Sequence, residues 1–514
     1  MRCSLVLLLA AALAGCGKRD GNAFRRIVLT PIEDLRSAGG PEAAAMQLAV
    51  WDALQAQHTV HVVMAQHRRE LAGLPAYAVL EGYVDGGGFR LTFNGEPVGC
   101  EGTLETCAGR VVTEVAGRMG ARQRQVLSAG ALRCLAGAGN PDECLAQAVK
   151  TDGRSALVWL RLAGRAMETG GPAAALAVLG RADVESMEPF DRARVRLAAA
   201  EWRQDRIGAA RALVSVAGAS PADVDLQGRA AQAALSVGDY TDGLALYEAL
   251  LARVPDPRVQ SRAAFAAALA GDRAKAERLA EMACAGAKND AEMWDSRGEI
   301  AYFYRDFDAA SRYFEEAASR NVALFGGLDL WKSALAARQA GQRERAEAFF
   351  RRFLELRAQA GQRNPLILQA VWAWLGGEDE AAVAKLGEAA QSSERGKALF
   401  LRALIALHQR DFGLAGQLRR EMDPASIETG LLASLLEDVA PPPGLPFPAE
   451  AVGALRAYLR GDLARAKAGL VAMRAKTNPG TAGQWRKFEG LLAGEKTTGT
   501  GTPSPEEWLA VVLR

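Results

Sequence analysis

From about residue 153 onward, apolar residues recur at steps of three and four, the spacing of one buried helix face. Around position 170 they are Trp159, Leu162, Ala163, Ala166, Ala175 and Ala182. Around position 204 they include Ala200, Ala209 and Leu213, and around position 238 Ala231, Tyr247 and Leu250. Around position 305, Trp294 and Gly298 precede the turn and Ala310, Phe314 and Ala317 follow it. Successive faces are separated by a turn that reads as glycine or a stand-in, a polar residue, three spacers and a small residue. It stands at Gly170, Gln204, Gly238, Gly271, Arg305, Gly341, Gly377, Arg410 and Gly461, with steps of 34, 34, 33, 34, 36, 36, 33 and 51. A period near 34 belongs to helix–turn–helix units, each too small to bury its own face, so neighbours must stack. Stacked hairpins are therefore expected over 153–438, with a last one over 449–493.

The pattern before residue 120 differs. Arg26 to Ile32 is a short apolar run bounded by Pro31, and His58 to Ala65 is rich in β-branched residues, so both read as strands. Between them Ala45, Leu48, Trp51 and Leu54 mark an amphipathic helix opened by Pro41. A short helix is expected at His67–Leu71. Tyr77–Val84 and Phe89–Phe93 form a hairpin around Gly86, Gly87 and Gly88, glycines that permit positive φ angles. A helix from about Leu104 to Met119, with Val111, Val112 and Val115 on one side, closes this part. Residues 121–152 read as a degenerate helical hairpin.

The run Ile27 to Leu35, the strand Val60-His61-Val62-Val63 and the segment Tyr77 to Val84 resemble the TolB-like amino-terminal module often joined to repeat arrays in bacteria. The chain departs from that pattern in a compressed loop after the first strand. It also carries Gly95–Gly102, holding Cys100, where the family has its last strand. The resemblance implies protein contacts at the cell envelope and no catalytic activity. From 155 to 490 the chain is similar to tetratricopeptide (TPR) repeats: small residues let two helices approach, large ones fill the gap, and Pro221 or Pro255 ends a second helix. The expected fold class is thus mainly α, a TPR-like α-solenoid preceded by a small α/β (TolB-like) domain over 24–120.

The first residues read as a targeting segment. Arg2 is followed by the apolar run Leu5–Leu13 and then by Leu13-Ala14-Gly15-Cys16, which resembles the bacterial lipobox. The run is too short to span a bilayer as a permanent helix. The resemblance implies a signal peptide over 1–15, lipidation of Cys16 (diacylglycerol and palmitate), a tether over 16–23 and an outer-membrane location on the periplasmic face. In an oxidising periplasm Cys100 can pair with Cys107 and Cys134 with Cys144, although five buried free thiols would fit the spacing too. Cys284, in an alanine-rich helix, reads as a small buried apolar residue. The proline-rich stretch over 439–448 cannot be helical and interrupts the array. Residues 494–514 read as a flexible segment ending in a helix from Ser504 that caps the last repeat.

Lys plus Arg number 62 against 60 Asp plus Glu, a balance without the basic footprint of a nucleic-acid binder. Phosphate loops, nucleophile elbows and zinc-protease motifs are missing from the sequence, so neither a catalytic set nor a cofactor is expected. His58, His61 and His67 lie close in sequence, but strand residues three apart face opposite sides, so they read as solvated or edge histidines and not as metal ligands. His408 stands alone in a helical run. Trp331, Phe349, Phe350, Phe353, Trp372 and Trp374 read as helix–helix packing. In a solenoid the first helices carry ligand contacts, which makes Gln232, Glu299 and Arg338 the candidate groove residues. The reading is a membrane-anchored periplasmic scaffold for an unknown protein or peptide. The alternative is a component of an envelope assembly or secretion complex. The least favoured is a cell-wall hydrolase, which would need two close carboxylates in a cleft.

Overall fold

The structure, a computed structural model, describes residues 25–36, 40–56, 60–64, 78–323, 326–361, 365–442 and 449–474. The expected signal peptide, Cys16, the expected tether, His58, His67, the helix expected at His67–Leu71, Pro443 to Pro448 and everything after 474 lie outside them. The chain divides into two units at Pro255 and Asp256.

The first unit opens with strands β1 (Arg25–Leu29) and β2 (Glu33–Asp34), helix α1 (Glu42–Ala53), and strands β3 (Val60–Met64), β4 (Ala78–Asp85), β5 (Gly88–Phe93), β6 (Glu96–Pro97) and β7 (Cys100–Glu101). Helix α2 (Leu104–Met119) follows. The sheet order is β3-β1-β4-β5-β6, with β2 also on β4 and β7 also on β5. β1 runs parallel to β3 and β4, placing Ile27 opposite both Val62 and Ala78. Ile27, Leu29, Leu80 and Leu91 share one apolar core with Met46 and Val50 of α1 and Val111, Val112 and Val115 of α2. Each sheet-facing side chain thereby leaves water, at about 25 cal/mol per Å² of apolar surface.

Three expectations for this module change. Gly86 and Gly87 are not in the positive-φ region; Gly88 is, at +133°. A Cβ there would lie 2.3 Å from the Cys100 carbonyl oxygen, so the glycine is required by the close approach of β7. Gly95–Gly102 is not strand-free: it forms β6 and β7, both antiparallel to β5. His61 is neither solvated nor at a wet edge, being 7% exposed. Its burial comes from the first repeats, whose Asp223 approaches it, a contact no strand periodicity records. Cys100 is bonded to Cys107 and Cys134 to Cys144, with Cα atoms 5.5 and 5.7 Å apart.

Helices α3 (Ala129–Leu135) and α4 (Pro141–Asp152) occupy the region between sheet module and repeats. α5 (Ala156–Leu179) is kinked at Gly171, where φ is +71°, one residue beyond the position at which the sequence pattern sets the turn. Then come α6 (Pro189–Trp202), α7 (Arg206–Ala219), α8 (Val224–Ser236) and α9 (Tyr240–Leu251). A buried charge cluster joins the sheet module to these helices. Arg124 pairs with Asp191 of α6, donates to Glu188 at 2.9 Å and lies 3.9 Å from Asp52 of α1. Asp52 and Asp191 are 4% and 2% exposed. Burial pushes both carboxyls up, against the pull of Arg124 and Arg194.

The second unit carries α10 (Pro257–Leu269), α11 (Arg273–Gly286), α12 (Ala291–Phe303), α13 (Phe307–Arg320), α14 (Leu328–Gln339), α15 (Arg343–Gln359), α16 (Leu366–Leu375) and α17 (Asp379–Ala389). It continues with α18 (Arg395–His408), α19 (Phe412–Arg420), α20 (Ile427–Leu436), α21 (Ala449–Leu459) and α22 (Leu463–Arg474). The long step of 51 contains α20, a helix that among the described residues is joined to no neighbour by a turn of the repeated kind.

One local device builds the turns in both units. Gln204, Gly238, Gly271, Arg305, Gly341, Gly377, Arg410 and Gly461 all have φ between +57° and +85°. The next residue donates its amide to an alanine carbonyl five residues back, at 2.8–3.0 Å: Ala200, Ala234, Ala267, Ala301, Ala337, Ala373, Ala406 and Ala457. This is the long hydrogen bond of a Schellman helix end, which needs the left-handed residue. The polar residue of the pattern then starts the following helix. Asp205, Asp272, Asp306 and Asp411 accept a backbone amide from the new first turn through their side chains. The chain is a mainly α, TPR-like solenoid with a small α/β part at its amino-terminal end.

Candidate functional site

In the second unit three consecutive first helices, α10, α12 and α14, line a cavity of about 460 Å³. Phe265 and Leu269 come from α10, Ile300, Tyr302 and Phe303 from α12, and Leu335 from α14; Phe314 of α13 closes the floor. Gly298 lets the Phe314 ring seat against α12, because a Cβ there would lie 2.6 Å from two ring carbons. The aromatic floor is thus a consequence of one small residue on the facing helix.

The polar wall is Glu299 with Lys332. Asp295 and Glu299 are four residues apart on α12 and so share a face. Lys332 Nζ donates to Asp295 Oδ1 at 2.6 Å and to Glu299 Oε1 at 2.5 Å. Asp329, one turn before Lys332 and 1% exposed, lies beside Asp295. Burial, then the hydrogen-bonding and charge of Asp295, pushes the Asp329 carboxyl up to about 8, so at neutral pH it holds its proton. Lys332 is raised: burial lowers it, but Glu299 and Asp295 outweigh that. The wall is therefore one cation held by two carboxylates, backed by a neutral acid.

Of the three groove residues read from sequence, Glu299 lines this cavity. Arg338 is spent elsewhere, its guanidinium 4.5 Å from the Trp372 ring centroid and donating to the Trp372 carbonyl at 3.3 Å. Gln232 sits in the first unit and accepts from the Tyr247 hydroxyl at 3.4 Å. Lys332, Asp295 and Asp329 were not picked out by sequence reasoning. Phe265 and Glu299 each stand six residues before their turns and so occupy equivalent positions in adjacent repeats, whereas Asp295 and Asp329, ten and twelve residues before theirs, do not. The aromatic set packs as helix contacts: Phe350 and Trp372 stack at 4.5 Å, and Phe349, Phe350, Phe353 and Trp372 share a core. Cys284 is buried and unpaired with another cysteine.

Two pairs of close carboxylates bear on the hydrolase reading: Asp295 and Asp329, neither of which lines this cavity and of which Asp295 is tied to Lys332, and Asp52 and Asp191, which line a cavity of the first unit but are held by Arg124. A bound molecule would meet Glu299 and aromatic faces, which suits recognition better than proton transfer. A second polar set lies in the first unit. His61 Nε2 is 3.3 Å from Asp223 Oδ1, and with Asp225 they gather three donor atoms within 4.8 Å of one another. Burial lowers the His61 imidazole, Asp223 opposes that, and the positive charge of Arg26 adds to it.

No protein-family model and no curated protein matches the chain. Among solved structures it is similar to MamA, at 17% identity over 34% of this chain and 96% of that one, with a TM-score of 0.29. It is similar to PilW, described as a widely conserved type IV pilus biogenesis factor, at 16% identity over 40% and 92%, TM-score 0.28. A tetratricopeptide repeat protein from Parabacteroides merdae aligns at 16% identity over 45% and 91%, TM-score 0.35. Likenesses this low carry no information on partner or activity; the repeat assignment rests on the turns and helix pairs themselves.

Proposed function

We propose that the protein is a scaffold that holds a polypeptide partner on the first helices of its second unit, anchored by lipid on Cys16 to the periplasmic face of the outer membrane. The observation that carries the binding reading is the cavity whose walls are aromatic and whose one polar edge is the Glu299–Lys332 pair. Repeat arrays present such surfaces without needing to move, because each hairpin is held by its neighbours. The lipobox-like segment supports the anchor, and the two disulfides suit an oxidising compartment.

Binding is tested by placing a photo-crosslinking amino acid at position 303 of the full chain in cells. A discrete protein adduct that disappears with Leu335→Glu is expected. A protein that yields no adduct at 303, while folded by circular dichroism, would remove the scaffold reading. For the anchor, Cys16→Ala is expected to move the protein from the membrane to the soluble fraction; unchanged fractionation would refute it.

A further inference from the structure

We propose that the cavity between α10, α12 and α14 is specific for a polypeptide segment carrying a lysine or arginine beside an apolar residue, the cation pairing with Glu299 and the apolar group entering the aromatic pocket. The inference rests on the scaffold reading and adds the chemistry of the partner.

Charge decides it. Glu299 and Lys332 are the acid and the base among the lining residues. Lys332 already donates to two carboxylates, so its charge is matched once and one negative charge is left over. Asp329, holding its proton, adds none at neutral pH. The two charges also differ in access: the Glu299 side chain is 42% exposed and that of Lys332 19%. An arriving ligand therefore meets carboxylate first, and Glu299 still has Oε2 to offer, since Lys332 takes Oε1.

The apolar lining points the same way. Phe265, Tyr302, Phe303 and Phe314 line the cavity, and an aromatic face favours a cation over an anion. Lys332 itself sits 5.4 Å from the Phe314 centroid, so the pocket already accommodates an ammonium against a ring. An acidic ligand would bring a third carboxylate to the single cation of Lys332, adding a negative charge that nothing in the wall matches.

The test uses the purified full chain and three acetylated, amidated peptides of identical sequence, with lysine, norleucine or glutamate before a Phe-Leu pair, titrated by fluorescence anisotropy. One charge-assisted hydrogen bond corresponds to roughly tenfold or more in affinity. The lysine peptide is expected to bind about tenfold tighter than norleucine and tighter still than glutamate. Glu299→Gln, checked for folding by circular dichroism, is expected to erase the lysine advantage while leaving norleucine binding within about twofold. Equal binding of lysine and norleucine, a preference for glutamate, or a lysine advantage that survives Glu299→Gln would each overturn the proposal while leaving the scaffold reading intact. Failure of all three peptides to bind also overturns it, and the crosslink at position 303 then decides the scaffold reading separately.

Discussion

Replacing Asp329 by Asn should make the second unit more stable, and increasingly so as pH rises. The carboxyl is 1% exposed and pushed from 3.8 up to about 8. In the unfolded chain the group loses its proton near pH 4, whereas in the folded chain it keeps it to about 8. Between those values the native state binds one more proton than the unfolded state. Stability therefore falls with rising pH, by at most about 1.4 kcal/mol per unit. The contribution is fully present below the ordinary carboxyl range and is lost as pH rises through 8. From pH 5 to 8 the loss is at most about 4 kcal/mol. Asparagine keeps the side chain's shape, needs no proton and can donate to Asp295. Urea midpoints of the full chain at pH 5, 6, 7 and 8, followed by circular dichroism, should fall with pH in the wild type. In Asp329→Asn that fall should be largely absent. Pulsed hydrogen exchange over 291–339 assigns the transition to this region. Parallel pH profiles in the two proteins, or a variant less stable at every pH, would refute the reasoning.

Gly298→Ala gains about 1 kcal/mol of helix propensity but forces a methyl to within 2.6 Å of the Phe314 ring, an overpacking of about 1–3 kcal/mol. A lower urea midpoint is expected, and an unchanged or higher one means the ring shifts freely. Arg124→Ala leaves Asp52 and Asp191 with Arg194 alone, 4.0 and 3.9 Å away, and should cost up to about 3 kcal/mol, read as a loss of protection in α1 and α6 by hydrogen exchange. Gln204→Gly should stabilise by about 1 kcal/mol, because Gln204 sits at φ +57°, a region costly for any side chain. A drop in thermal midpoint would mean its side chain makes a contact worth more than the strain.

The repeats were legible in sequence because their turns are local. A left-handed residue, an N-cap and an alanine five residues back lie within one short segment, and Gly271, Asp272 and Ala267 form that set whatever surrounds them. Even non-glycine stand-ins such as Arg305 and Arg410 could be placed, because the period pointed to them when composition did not. The first turn was set one residue early, at Gly170, since two adjacent glycines leave the position ambiguous until helix packing selects Gly171. The candidate site was legible only in part: Glu299 stood out as a polar residue on a first helix, while Lys332 and Asp295 did not.

What the sequence determined alone was therefore the kind of element and its spacing: strands and helices near the amino-terminal end, then hairpins every 34 residues or so, with a break before the last. These follow from short-range backbone geometry and from side-chain periodicity, which a linear chain carries. Tertiary structure decided which of these groups share an environment. It buried His61 under Asp223, converted Arg124 into a buried counter-ion for α1 and α6, and turned Arg338 away to Trp372. It also set Glu299 and Lys332 over an aromatic floor. Burial and charge proximity depend on neighbours distant in sequence, so the cavity and the protonation of Asp329 exist only once α12 and α14 have packed.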